Sequence, residues 1–135
     1  MRNKWTPFPD DMPEQERHWP VLFGRRRHRA LLTLRGEDGR YHVGFYPAWK
    51  CTTLAYTGIY PSSEDREGWK SEFWGDELPE KSDWYLVTVE GRHGDELEKS
   101  WFDAEKYRWC RERGRPEVVA WRELPKPWRP KEERK

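Results

Sequence analysis

Apolar residues in this chain fall in short runs of four to seven, each cut off by glycine, proline or a cluster of charges, and no stripe recurs at the spacing of a long amphipathic helix. Residues 30–34 and 40–46 flank Gly36-Glu37-Asp38-Gly39, where Asp-Gly supplies the positive φ of a tight turn, so the pattern predicts a β-hairpin. Residues 51–60, rich in Thr, Tyr, Leu and Ile, read as another strand, and 21–23 as a short one. In the second half, 84–89 is a strand, 90–94 a turn, 95–102 a second strand or irregular segment and 117–121 a last strand, stopped by Leu124-Pro125-Lys126-Pro127. Residues 103–112 have a helix-compatible composition, with Asp103 as N-cap and Gly114 as the stop before Pro116. Pro7, Pro9, Pro13 and Pro20 keep the first twenty residues extended or turning.

The two halves repeat one another. Leu31-Leu32-Thr33-Leu34-x-Gly36-x-x-Gly39 superposes without gaps on Leu86-Val87-Thr88-Val89-x-Gly91-x-x-Gly94, and Leu54-Ala55-Tyr56 faces Val119-Ala120-Trp121. Two unrelated hairpins sharing turn chemistry are the competing explanation; the kept order favours duplication. The expected fold is therefore β-rich α+β: two tandem related antiparallel β units, packed as one compact domain with at most one or two short helices. The first unit is expected over 1–61, a polar linker over 62–68, the second unit over 69–128 and a frayed tail over 129–135.

Residues 67–129 resemble the family catalogued as domain of unknown function 551, small modules of bacteria, phages and prophages. The matching residues are Trp69 or Trp74, then Leu78-Pro79-Glu80, Leu86-Val87-Thr88-Val89, and Trp121-Arg122-Glu123-Leu124-Pro125-Lys126-Pro127, with a weaker echo over residues 5–61. The chain departs from the family pattern at Arg111–Arg115, in place of a shorter and more acidic connection. The resemblance implies a small β-rich phage-type accessory domain without assigned catalysis and supplies no site residues.

Composition narrows the function classes. Only 34% of the chain is hydrophobic and 38% is charged, which favours disorder, but 10 Trp, 6 Tyr and 5 Phe bring large apolar area from few positions and make a folded core feasible. A net charge of +1 excludes an acidic DNA mimic and a strongly basic nucleic-acid coat. Residues 1–30 lack the apolar run of an export signal and no stretch is long enough to span a bilayer, so the expected location is the bacterial host cytosol, with no membrane contact and with Cys51 and Cys110 as reduced, buried thiols. Trp84 and Trp121 lie in strand patterns and are expected in the core, whereas some of Trp5, Trp69, Trp74 and Trp128 must be partly exposed.

No catalytic motif is present. Cys51 and Cys110 stand alone, and His18, His28, His42 and His93 are scattered, so neither a metal site nor a cofactor is expected. Cys51 with His42 lacks a nucleophile elbow, and the paired carboxylates (Asp10-Asp11, Glu64-Asp65, Glu132-Glu133) sit in polar stretches that offer no burial. Binding is favoured instead. Arg25-Arg26-Arg27-His28-Arg29 concentrates four guanidiniums, and Arg108, Arg111, Arg113 and Arg115 surround Tyr107 and Trp109. Guanidinium grips phosphate bidentately and indole or phenol rings stack on bases. A solvated face balanced by neighbouring acids is the usual meaning of a lone charge run. Three functions follow as expectations. The leading one is a non-catalytic phage- or prophage-type binding protein, a host-defence antagonist that holds a nucleotide-like anion or a host protein at this Arg/aromatic surface. The second is a nucleic-acid-binding module using Arg25–Arg29, and the third a small enzyme using Cys51 or Cys110. A duplicated unit with exposed Trp also admits a homodimer.

Overall fold

The computed structural model describes residues 5–18, 29–92 and 94–130. Among the described residues, eight strands form two four-stranded antiparallel sheets: β1 (Thr6–Pro7), β2 (Arg29–Arg35), β3 (Tyr41–Gly44) and β4 (Thr52–Ile59) in the order β1-β4-β2-β3, and β5 (Asp83–Gly91), β6 (Gly94–Asp103), β7 (Arg108–Cys110) and β8 (Val118–Glu123) in the order β7-β6-β5-β8. The only helical pieces among the described residues are 3₁₀ turns at Glu14–His18 and Glu72–Trp74. The chain is thus β-rich, and the expected helix at 103–112 is replaced by the turn into β7. The Asp103 carboxylate does cap backbone N–H groups, those of Glu105 and Lys106 at 3.0 and 3.2 Å, but Tyr107 then turns left-handed at φ 57°, which ends any helical path and reverses the chain. The 21–23 strand expectation lies outside the described residues.

The chain divides into two units, one of Tyr60–Leu124 and one of the residues up to Ile59 together with those from Pro125 on. Residues 62–68 fall inside the former, with Ser62 buried.

The two sheets share one plan. In each, the strand carrying the repeated Leu/Val-Thr sequence is central, its hairpin partner lies on one side and the strand ending the repeat on the other. The register slips at the same place in both. Thr33 pairs with Ala55 and Leu34 with Thr53, skipping Leu54; Thr88 pairs with Ala120 and Val89 with Val118, skipping Val119. The bulges therefore fall on the triplets that sequence sets opposite one another.

Thr33 and Thr88 are each fully buried, and burying a hydroxyl requires a partner. The Thr88 hydroxyl accepts from the Ser62 N–H at 3.1 Å, and the Thr33 hydroxyl accepts from the Trp128 N–H at 2.9 Å. Both donors directly follow a proline, Pro61 and Pro127. In chain order, Ser62 follows the last strand of the first sheet and Trp128 follows that of the second.

Each central strand is buried on both faces, Leu31–Leu34 and Tyr85–Val89 alike, which is why these segments read as continuous apolar runs. On one face of the second sheet, Tyr85, Val87, Val89, Phe102, Val118 and Trp121 make a core cluster. Its rings meet edge to face, Tyr85 on Trp121 at 5.3 Å and Phe102 on Trp109 at 4.9 Å. Tight turns close the hairpins. Gly39 sits at φ 81° as the Asp-Gly pair requires, and at Gly91 a Cβ would come within 2.8 Å of the Gly94 carbonyl oxygen.

In the unit of the first sheet, the Glu14–His18 turn is fastened to β4 from both ends. The Glu14 carboxylate accepts from the Thr53 N–H at 2.8 Å and from its hydroxyl at 2.6 Å, while His18 Nε2 stays 3.5 Å from that carboxylate, too far for a hydrogen bond. Arg17, 7% exposed, donates to the carbonyls of Met12, Thr53, Pro9 and Asp10. Among the described residues, no helix is long and apolar enough to cross a membrane.

Candidate binding surfaces

Of the first arginine run, Arg25, Arg26, Arg27 and His28 lie outside the described residues. Arg29 opens β2, its backbone opposite Ile59, and its side chain lies outside the description.

The second cluster is described in full, and the structure sorts it into two groups. Arg111 is held: its Nε donates to the Pro116 carbonyl at 3.0 Å and its Nη2 to Glu98 Oε1 at 3.1 Å, leaving the side chain 13% exposed. Arg115 donates to the same carboxylate oxygen at 3.0 Å. One acid thus neutralises part of this charge and fixes the loop that leads to β8. Trp109 is half-buried and meets both Tyr85 and Phe102 in edge-to-face contacts, so it is a wall of the core. The remaining group is Tyr107, Arg108 and Arg113. All three are exposed, and among the described residues no acid pairs with either arginine. Tyr107 is 60% exposed and is steadied by a single edge contact to Phe102 at 6.0 Å. Left-handed backbone at Tyr107 and β6–β7 pairing at Arg108 place these two at the start of the edge strand β7, and Arg113 lies in the turn that follows that strand.

The cysteines differ from expectation. Cys110 is exposed at the end of the edge strand β7, and Cys51 is half-buried in the turn before β4, its N–H bonded to the Ala48 carbonyl. Cys51 and His42 border the same shallow cavity of about 550 Å³, alongside Trp49, with no hydrogen bond between them. Among the described residues no group of three or more His, Cys, Asp or Glu is arranged to hold a metal ion.

The aromatic readings divide. Trp121 is in the core as expected, and Trp69 is buried, 7% and 6% exposed respectively. Trp84 is not in the core: it is half exposed and leans on Trp101 at 5.6 Å. Its position in β5 alternates with Tyr85, so it faces away from the core cluster, at the start of the strand where that face is open. Sequence reasoning passed over Trp49, 87% exposed in the turn before Cys51. Lys50, in left-handed backbone at φ 60°, follows it in that turn.

A second cavity of about 630 Å³ opens beneath Leu78-Pro79-Glu80, with Tyr85 and Trp121 among its walls. The Leu-Pro-Glu turn was visible in sequence as punctuation, but nothing in the spacing indicated that it roofs a space. Burial holds the Tyr85 hydroxyl above its usual pKa, reinforced by Asp83, Glu123 and Glu80, and the hydroxyl donates to the Lys81 carbonyl at 2.9 Å. Burial lowers Lys99, beside Trp84, and also lowers Arg122, whose partners Asp65 and Glu67 pull the other way.

No protein family matches the chain, and neither does any curated protein or any solved structure.

Proposed function

We propose that this protein is a non-catalytic binding protein that holds an anionic partner, such as a nucleotide or a phosphate-bearing strand, on the rim formed by Tyr107, Arg108 and Arg113. One observation carries the reading: Arg108, next in the chain to the exposed Tyr107, and Arg113 are both exposed with no acid partner among the described residues, while Arg111 and Arg115 are tied to Glu98. Unpaired guanidinium is available for bidentate contact with phosphate, and the ring supplies a stacking face. The resemblance of residues 67–129 to domain of unknown function 551 adds the setting, an accessory protein of phage or prophage type acting on a host ligand or host protein. A nucleic-acid reading through Arg25–Arg29 draws on residues outside the described structure and ranks second.

The test is fluorescence anisotropy of labelled ADP and of a labelled twelve-residue thymidine strand, with wild type and Arg108→Ala/Arg113→Ala. Binding is expected to weaken at least tenfold in the double variant. For the strand, the log–log salt slope is expected to fall by about 1 to 2 units, since each phosphate contact contributes roughly 0.7 on single strands. Binding unchanged by the double substitution, or no binding by wild type, refutes the assignment.

A further inference from the structure

We propose that the two halves of the chain, residues 1–65 and 66–135, are binding partners that exchange the segments following their last strands, and that they hold together without the covalent link between them. A duplicated sequence has a simple way to fold, in which each repeat keeps its trailing segment on its own sheet. This chain does the opposite. The residues from Tyr60 on follow β4, the last strand of the first sheet, yet belong to the unit of the second. Those from Pro125 on follow β8, the last strand of the second sheet, yet belong to the unit of the first.

Specific bonds make the exchange. Pro61 and Ser62 are buried, and the Ser62 N–H donates to the Thr88 hydroxyl of β5 at 3.1 Å. In the other direction, the Trp128 N–H donates to the Thr33 hydroxyl of β2 at 2.9 Å. Trp5 reinforces that segment by donating its indole N–H to the Lys126 carbonyl at 3.0 Å, and the Arg129 guanidinium lies 4.7 Å from the centre of the Tyr41 ring. Each trailing segment therefore arrives with a proline followed by an N–H donor and meets the threonine of a central strand at the matching bulge. Both threonines are fully buried, and a half that lost its counterpart would give up the bond made there.

Reciprocal exchange of an identical element is the bonding pattern of a swapped homodimer, here with the two copies fused in one chain. The fusion point carries little of the structure. Residues 63–68 are exposed, and the backbone bonds on either side stay local: Glu64 and Asp65 donate to the Pro61 carbonyl, and Trp69 to the Arg66 carbonyl. One exposed bond, from the Glu67 N–H to the Asp65 carboxylate, spans the junction. Two segments docked in opposite directions also make the pair bivalent, so release of one leaves the halves joined through the other.

The experiment inserts a site for a sequence-specific protease between Asp65 and Arg66 of the full chain and cuts it after folding. Size-exclusion chromatography at micromolar concentration and native mass spectrometry are expected to show one particle with one copy of each half, and circular dichroism is expected to match the uncut chain. On dilution, Thr33→Val and Thr88→Val are each expected to weaken the association about tenfold, and Trp5→Phe, which removes an exposed bond, about twofold. A permuted chain that starts at Arg66, passes from Lys135 through a glycine–serine joint to Met1 and ends at Asp65 repeats the test without an insertion; it is expected to fold and to unfold in urea close to wild type. Halves that separate on cleavage, association indifferent to both threonine substitutions, or failure of both the cut and the permuted chain to fold overturns the proposal.

Discussion

Replacing Arg17 with methionine keeps the length and apolar stem of the side chain and removes all five of its N–H donors. In the native chain its guanidinium reaches Thr53 at 2.9 Å, Met12 at 2.9 Å, Pro9 at 3.0 Å and Asp10 at 3.1 Å, all backbone carbonyls. The bond to Thr53 is buried; the other three are part-buried. A buried charge-assisted bond contributes about 2 kcal/mol, and each part-buried one, with water able to take its place, about 0.5 kcal/mol, so the loss is expected to be about 3–4 kcal/mol. Lysine restores the charge, but its single ammonium cannot span a fan of four carbonyls, and Arg17→Lys is expected to lose about half as much. Such a loss is a large share of the roughly 5–15 kcal/mol that holds a typical domain folded. Urea unfolding followed by far-ultraviolet circular dichroism measures it directly, with the slope against urea checked for constancy across the variants. A methionine variant within about 1 kcal/mol of wild type, or a lysine variant as stable as arginine, refutes the view that Arg17 works by gathering carbonyls.

Two further expectations concern the second sheet. Thr88→Val keeps the shape of the side chain and strands the buried Ser62 N–H, with an expected loss of about 1–3 kcal/mol in the same unfolding assay; a neutral result refutes the view that the Thr88 hydroxyl is needed to satisfy the Ser62 N–H. Tyr85, raised by burial and by Asp83, Glu123 and Glu80, stays protonated in the fold at a pH where an unfolded tyrosine ionises, so its contribution is intact below about pH 10 and is lost as pH climbs towards the folded value. Tyrosinate absorbance in wild type is expected to contain one component raised above the ordinary tyrosine value and missing in Tyr85→Phe; identical titration curves refute it.

Local chemistry determined much of this protein without reference to distant parts of the chain. The Asp38-Gly39 turn and the Gly91–Gly94 turn follow from the backbone freedom of glycine, and the runs around Leu31–Leu34 and Leu86–Val89 announce strands because continuous β-forming apolar residues bounded by turn signals leave little else. The repeat was legible too, since Thr33 and Thr88 occupy matching places in central strands with matching bulges. The local reading failed at 103–112, where composition allows a helix but one left-handed residue and a pairing partner in β6 make a hairpin. It failed again at Trp84, whose face of β5 is covered at Leu86 and Thr88 but open at the start of the strand. Only tertiary structure decided which arginines are spoken for, because Glu98 lies thirteen residues from Arg111 and reaches it from the neighbouring strand. The same is true of Arg17 and of the cavity at Trp121. Each depends on groups brought together through space, and a charge or a ring carries no mark in sequence of the partner that will neutralise or cover it.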